Sequence, residues 1–348
     1  MNGPLSFAFA ILLTSDWFPN GLTTVDTGMT VTRAATCGIC HAQQYEQWSV
    51  SRHALSWTNA IFQREYKDKP LDWCVHCHAP LPEQHQEIQA GGGTLANEGI
   101  TCVTCHIRDG RMQSNAHAQT SPHDTVVDPS FGSPRFCGGC HQFNFPAPER
   151  IAGSNVVRRY TSEPMQDTQH QHATGPRTSQ GCLSCHGGDL GHRFPGGHNA
   201  KFLSRALSVA ACRDHGRLQI GLANVGAGHN VPTGDVHRHL VLRVWPVDAP
   251  EKLQEVIMGR RFAGDEVGAK HLLSDTSIPA GKTRIARFDW PQRASTSLRM
   301  ELRLVYTIDE FPFRGRELAE PTSMLMAEDE LSWSKLQDCK RARSQENK

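Results

Sequence analysis

The sequence predicts a mixed fold, in which a loop-rich N-terminal region with short α-helices is followed by an antiparallel β-sandwich. Two observations predict it. Between residues 37 and 186, five copies of Cys-x-x-Cys-His recur among segments punctuated by glycine and proline. After about residue 212 the motifs stop, and apolar and polar residues alternate with the period of a β-strand.

The five motifs contain ten of the 12 cysteines and five of the 19 histidines. They are Cys37/Cys40/His41, Cys74/Cys77/His78, Cys102/Cys105/His106, Cys137/Cys140/His141 and Cys182/Cys185/His186. Two thiols at this spacing can each form a thioether with a porphyrin vinyl group, and the adjacent histidine then becomes the proximal iron ligand. The motifs therefore predict five covalently bound c-type haems.

The spacing of the motifs also predicts what fills the interior of this region. Each haem has about 30 residues of chain, which is too little for a conventional apolar core around each one. We therefore expect the N-terminal region to be haem-packed.

Two other uses of paired cysteines fit the pattern less well. Four-thiolate zinc sites do not require histidine after every second cysteine, and five pairs would leave one pair over. A thioredoxin-like redox motif would occur once, in a βαβ context.

Composition excludes two further classes of protein. Hydrophobic residues make up 38% of the 348 residues, too few for a polytopic membrane protein. A net charge of +1 does not suggest binding to nucleic acid. Each ferric haem with two ionised propionates adds about −1, so five haems would bring the net charge to about −4.

The strand pattern is clearest in four runs of the second half of the chain: residues 218–222, 240–244, 286–290 and 298–308. In the first half, one longer helix is predicted from Ala42 to Gln63. We divide the chain into a partial signal peptide or disordered arm (1–33), a pentahaem domain (34–211), a β-sandwich domain (212–328) and a flexible tail (329–348).

Two stretches around the haem motifs resemble a known family. Residues 37–53 resemble the first haem segment of the nitrifier-type tetrahaem cytochromes c, and residues 165–198 resemble the last haem segment of many relatives. Residues 226–234, followed by alternating strands, resemble the β-domain appended to that group. The resemblance covers about residues 36–200, and it implies that His53, in a Ser-x-His element, is a distal iron ligand. This chain departs from the family in having five motifs rather than four, and residues 167–172 stand where a Tyr-x-x-Trp element often precedes the last haem.

Fourteen histidines lie outside the motifs, and this surplus favours bis-histidine iron, typical of electron transfer at low potential. Six are candidate distal ligands: His53, His117, His123, His192, His198 and His229. His192 and His198 flank a rigid turn, and His229, between glycine and proline residues, would reach back from the β-domain. For each, the alternative is a surface histidine or one that caps a turn.

The N-terminal segment and the motifs both bear on the cellular compartment. Residues 5–13 form an apolar run too short to span a bilayer, similar to the apolar part of a secretory signal peptide. No other segment predicts a transmembrane span. The motifs are similar to those of c-type cytochromes, which receive their haems outside the cytoplasm. We therefore expect a periplasmic or extracellular protein. Cys212 and Cys339 remain, either as a disulfide or as two free thiols.

These observations favour a carrier of electrons between redox proteins, such as other cytochromes or a membrane quinol-linked complex. No catalytic constellation is evident, so an enzyme is the less favoured interpretation. One alternative is an oxidoreductase that acts on a small nitrogen or sulfur compound at an open haem. Another is a subunit of an extracellular haem filament or surface complex, as an oligomer.

Overall fold

A computed structural model describes residues 33–68, 70–115, 123, 125–148, 157–264, 270–289, 297–306 and 323–339. The apolar run at residues 5–13 and His117 lie outside these ranges, as does the end of the chain after Cys339.

Short helices dominate the first part of the chain. The α-helices of the described residues are α1 Ala34–Gly38, α2 Ala42–Ser49, α3 Ala60–Asp68, α4 Asp72–His78, α5 Pro82–Gln89, α6 Cys102–His106, α7 Pro134–His141, α8 Thr168–Ala173, α9 Leu183–His186 and α10 Ala200–Leu203. Within the described ranges, none has both the length and the apolar character needed to cross a bilayer.

The continuous helix predicted over residues 42–63 is instead two helices, α2 and α3, separated by turns. The Ser51 hydroxyl accepts a hydrogen bond from the amide of Ala54 at 3.2 Å, which favours a turn over further helix. The Asn59 side chain then accepts from the amide of Phe62 at 2.9 Å and begins α3. This break brings His53 into the interior, where its carbonyl accepts from the amide of Ile100 at 3.0 Å.

Five strands that the sequence analysis did not anticipate lie among the helices. They are β1 Ile107–Arg108, β2 Arg111–Ser114, β3 Thr125–Val127, β4 Gln142–Pro148 and β5 Val157–Asp167. The first three form one small sheet, and β4 pairs with β5 in an antiparallel hairpin.

The second part of the chain is built from antiparallel strands, as predicted. They are β6 Leu207–Asp214, β7 Arg217–Asn224, β8 Arg238–Pro246, β9 Gln254–Met258, β10 Arg260–Gly264, β11 Lys270–Asp275, β12 Thr283–Asp289, β13 Ser297–Tyr306 and β14 Ser323–Ser332. One sheet has the order β14-β13-β8-β9 and a second the order β12-β7-β6, while β10 and β11 form a separate pair.

The two larger sheets bury their apolar faces against each other in one shared core. Leu222 of β7, Leu242 of β8 and Leu302 of β13 are fully buried within it. Along β13, buried residues alternate with more exposed ones, as the period-two pattern predicted. The mixed fold with an antiparallel sandwich is therefore confirmed.

The N-terminal region has a different interior. Its described apolar residues form separate clusters of three or four buried side chains rather than one continuous core. One such cluster surrounds Trp57 and Val75, and another surrounds Trp48. Small, separated clusters fit a region in which bound groups supply much of the interior.

A disulfide joins Cys212 of β6 to Cys339. It closes a sequence separation of 127 residues and ties the C-terminal segment to the sandwich. Strand β6 begins at Leu207, so it runs across the position 211/212 at which the sequence analysis divides the two domains.

Candidate haem sites

Each Cys-x-x-Cys-His motif lies on or next to a short helix. Helices α4, α6, α7 and α9 end on the motif histidine, and the first motif runs from the end of α1 to the residue that precedes α2. The amide of His41 donates to the carbonyl of Cys37 at 2.9 Å, and the same bond joins His186 to Cys182 at 3.0 Å. One turn of chain therefore presents both thiols and the imidazole together, and all ten motif thiols are free of disulfides.

Cys40 differs from the other nine motif cysteines in its surroundings. It is exposed, whereas the other nine are partly buried. The reason is local: Cys40 lies in the turn between α1 and α2, and its amide donates to the carbonyl of Cys37 at 3.2 Å. Attachment of a haem through Cys37 and Cys40 stays a prediction, and that haem would have one edge close to solvent.

Three of the five motif histidines are oriented by hydrogen bonds from Nδ1 to backbone carbonyls. The acceptor of His78 is Ser56 at 2.8 Å, and that of His106 is Gln113 at 3.0 Å. His186 Nδ1 bonds in the same way to Pro195 at 2.7 Å. A carbonyl only accepts, so Nδ1 carries the proton and the lone pair lies on Nε2, the arrangement needed by a metal-ligating histidine.

Four motif histidines face a second histidine from elsewhere in the chain. The ring centroids lie 6.3 Å apart for His41 and His123, 6.5 Å for His141 and His53, 6.2 Å for His106 and His192, and 6.3 Å for His186 and His229. Two imidazoles that share one metal atom, each with a metal–nitrogen distance of about 2 Å, have centroids roughly 6 Å apart. The four pairs therefore fit bis-histidine coordination of four irons.

Burial favours the neutral form of two of these histidines, His53 and His229. It lowers the pKa of His53 to about 4, and the nearby rings of His141 and His186 act in the same direction. Burial likewise lowers the pKa of His229 to about 4, against a hydrogen bond to the carbonyl of Asn230. A neutral imidazole keeps the lone pair that binds a metal.

The second motif differs from the other four. Among the described residues no histidine ring faces His78. Its ring instead stacks on Phe62 of α3, with centroids 3.6 Å apart and planes 6° from parallel. The donor set at this motif is therefore one histidine and two thiols within the described ranges.

The remaining candidate ligands lie elsewhere. His198 lines a surface cleft together with Gly197, Arg238 and Tyr306. His117 lies outside the described residues.

Thiols of different motifs lie within hydrogen-bonding distance of one another. The pairs are Cys37/Cys102, Cys77/Cys140 and Cys137/Cys182. Burial and the charge of Cys140 also raise the pKa of Cys105 to about 11, against the opposing effect of Arg108. The first motif therefore adjoins the third, and the fourth adjoins the second and the fifth. The third motif is near enough to the fourth for the charge of Cys140 to act on Cys105.

Two residues that sequence reasoning missed position these groups. The buried side chain of Gln47 accepts a hydrogen bond from the amide of His192 at 3.0 Å, across 145 residues of sequence. Phe62 packs on His78 and also on Trp57, at 5.6 Å between centroids. A glutamine on an otherwise polar helix gives little indication in the sequence that its side chain is buried. The contact between Phe62 and His78 could not be predicted either, because it depends on where the chain turns.

Residues 36–107, which include the first three motifs, match the family described as cytochrome c554 and c-prime. No curated protein sequence matches the chain.

The fold is similar to that of a penta-heme cytochrome c552 from Thermochromatium tepidum, with a TM-score of 0.68. The alignment covers 86% of this chain and 98% of that one, at 18% sequence identity. The resemblance to multihaem c-type cytochromes is thereby confirmed, and with it c-type haem as the cofactor.

Proposed function

We propose that this multihaem c-type cytochrome carries electrons between redox partners through five covalently bound haems. The observation that carries the proposal is the set of four facing histidine pairs, each of which joins one motif histidine to a histidine from another part of the chain. Six-coordinate iron with two histidines has no site for a substrate, and it suits outer-sphere electron transfer.

The pairs suggest which histidine serves which motif. We assign His123 to the first motif, His192 to the third, His53 to the fourth and His229 to the fifth. His198 receives no iron in this assignment, since it lines a cleft instead.

Bound haem supplies the one-electron chemistry, and the protein supplies attachment, orientation and a largely dry environment. The thiols fix the position of each group covalently. The Nδ1 hydrogen bonds hold the imidazoles in one tautomer, and burial keeps water and protons away from Nε2.

The contacts between motif thiols suggest how the haems are ordered. The first motif leads to the third and the third to the fourth, while the second and fifth each adjoin the fourth. The order is a branched chain with the fourth motif at its junction. Three ends follow from it, at the first, second and fifth motifs. The exposed Cys40 at the first of these ends suits electron exchange with a partner protein there.

A second candidate function rests on the second motif. Because no described histidine faces His78, its iron would keep an open position at which a small nitrogen or sulfur compound could bind. The chain would then transfer electrons from a redox partner to that compound.

We propose a periplasmic or extracellular location for the protein. The disulfide between Cys212 and Cys339 supports it, because structural disulfides persist in oxidising compartments. We propose other cytochromes or a membrane quinol-linked complex as the partners.

The test is the haem content and the spin states of the purified holoprotein. We expect the intact mass and the haem-to-protein ratio to correspond to five haems. Electron paramagnetic resonance should give four low-spin ferric signals and one high-spin signal. Fewer haems would contradict the proposed cofactor set, and five low-spin signals would eliminate the open site.

A further inference from the structure

Near the second motif, four titratable side chains from two parts of the fold lie close together. Glu65 lies on α3, one helical turn after Phe62, the residue stacked on His78. From the β-domain, His237 Nε2 lies 3.7 Å from the Glu65 carboxylate. Asp235 and Tyr306 complete the group, which we call the Glu65 cluster.

The contacts within the Glu65 cluster are specific. The amide of His237 donates to the Asp235 carboxylate at 2.8 Å, and the Tyr306 hydroxyl also donates to that carboxylate. The guanidinium of Arg238 lies 5.7 Å from the centre of the Tyr306 ring.

The cluster is coupled electrostatically to the second motif. Burial, followed by the charge of Glu65, raises the pKa of Cys74 to about 12. Asp235 acts on the pKa of His78. The charges of Glu65 and Asp235 therefore act on one thiol and on the histidine of this motif.

The two carboxylates behave differently. Burial would raise the pKa of Asp235, but His237, Tyr306 and Arg238 together hold it below its usual value. Burial and the charge of Asp235 raise the pKa of Glu65 to about 7, against the opposing effect of Lys270. Since 42% of the Glu65 side chain surface is nevertheless accessible, water can reach the carboxylate.

We propose that Glu65 and His237 form a proton-exchange site that couples reduction of the second haem to the uptake of one proton. This inference rests on the proposed haem at Cys74, Cys77 and His78. If a haem held there gained one electron from the redox partner, the Glu65 carboxylate would take one proton from bulk water through His237. The proton would neutralise the added negative charge beside the motif.

The experiment is a redox titration of the holoprotein at several values from about pH 5.5 to 8.5, because linkage predicts a slope where Glu65 titrates. In the wild type, the high-spin signal distinguishes the second haem from the others. Near pH 7 its reduction equilibrium constant should fall by up to about tenfold for each unit of pH. In Glu65→Gln we expect this slope to be lost and the potential above pH 7 to rise.

Two further variants sharpen the result. Asp235→Asn removes the charge that disfavours ionised Glu65, so the slope should move to lower pH. Glu46→Gln is the matched control, because Glu46 is an exposed carboxylate on α2, and we expect the wild-type slope to persist.

The outcomes separate this inference from the proposed function. An unchanged slope in Glu65→Gln would overturn the inference while leaving the haem in place. If the second haem is low-spin, the open site fails, and the total titration curves of wild type and Glu65→Gln still test the coupling. A holoprotein that lacks a haem at Cys74 and Cys77 would remove both.

Discussion

His53 is held opposite His141 by contacts from distant parts of the chain. Its ring packs on Phe194 at 4.9 Å between centroids, and its carbonyl accepts from the amide of Ile100. Because it lies next to the first motif in sequence but faces the fourth in space, its role depends on tertiary packing.

We predict that His53→Ala converts one low-spin iron to a high-spin one, because the imidazole that faces His141 is removed. The measurement is electron paramagnetic resonance of the oxidised holoprotein. His198→Ala serves as the control, and it should leave all signals as in the wild type. The assignment would be wrong if the two variants had their effects reversed.

Gly191 has a positive φ of 56°, and a Cβ at this position would collide with the side chain of Gln47. Because Gln47 accepts from the amide of His192, we predict that Gly191→Ala displaces His192 and weakens its pairing with His106. An additional high-spin signal would report this. Gly188→Ala is a matched control, with the same φ of 56° and no atom within 4 Å of the added Cβ. Equal effects in both variants would attribute the change to backbone strain alone.

At the scale of elements, the loop after β7 carries His229 from the sandwich to the fifth motif. Asn224, at the end of β7, is buried and shapes this loop. Its amide donates to the carbonyls of His229 at 2.8 Å and Ile278 at 2.9 Å, and its oxygen accepts from Ala227.

We predict that Asn224→Ala loosens this loop and makes the fifth iron accessible to carbon monoxide in the reduced protein. The carbonyl of Ile278 still accepts from the amide of Val231, but the carbonyl of His229 loses its bond to Asn224. Leaving a buried carbonyl without its partner costs about 1–3 kcal/mol, which is enough to change the loop. The measurement is the fraction of haem that binds carbon monoxide. Ser277→Ala is the comparison, since Ser277 bonds to the side chain of Asn230 rather than to the backbone of His229. If Asn224→Ala binds no more carbon monoxide than the wild type, Asn224 does not position His229.

The strands could be predicted from the sequence because each buries one face, and alternation records this directly. In β13, the buried Leu298, Met300 and Leu302 reproduce the predicted pattern. The helices were harder to predict, because a haem-packed region lacks a continuous apolar stripe. The break between α2 and α3 depends on the side chains of Ser51 and Asn59. Serine and asparagine also occur on the polar surfaces of helices, so these two residues do not by themselves predict a break.

The haem motifs could also be recognised from sequence, since their chemistry is local. The exposure of Cys40 could not, because five motifs of identical spacing give no sign that one of them lies in a surface turn. The pairing of histidines could not be predicted either, because it depends on which loops meet in space. Sequence reasoning named His123, His192 and His229 as candidates without linking any of them to a particular motif. It also left Glu65 unmentioned, since the partner histidine lies in another part of the fold.

At the scale of the whole molecule, bound haem changes the charge. The sequence has a net charge of +1 and an isoelectric point of 7.7. Five ferric haems with ionised propionates would lower the net charge to about −4.

We predict that the holoprotein has an isoelectric point well below 7.7, because the propionates add more negative charge than the irons add positive charge. Isoelectric focusing of the oxidised holoprotein, beside the same chain produced without haem, checks this. A holoprotein that focuses at or above the haem-free chain would contradict both the haem number and the propionate ionisation.

The position of His229 in the sandwich also has a consequence for biosynthesis. A ribosome makes Cys182, Cys185 and His186 before it makes β7 and the loop that follows. In the proposed assignment, the fifth haem can thus be attached while the chain has only one of its two axial ligands in place. The second ligand would arrive only when the β-domain has folded. The absorption spectrum of the fifth haem in a newly made molecule would then report whether that domain has folded.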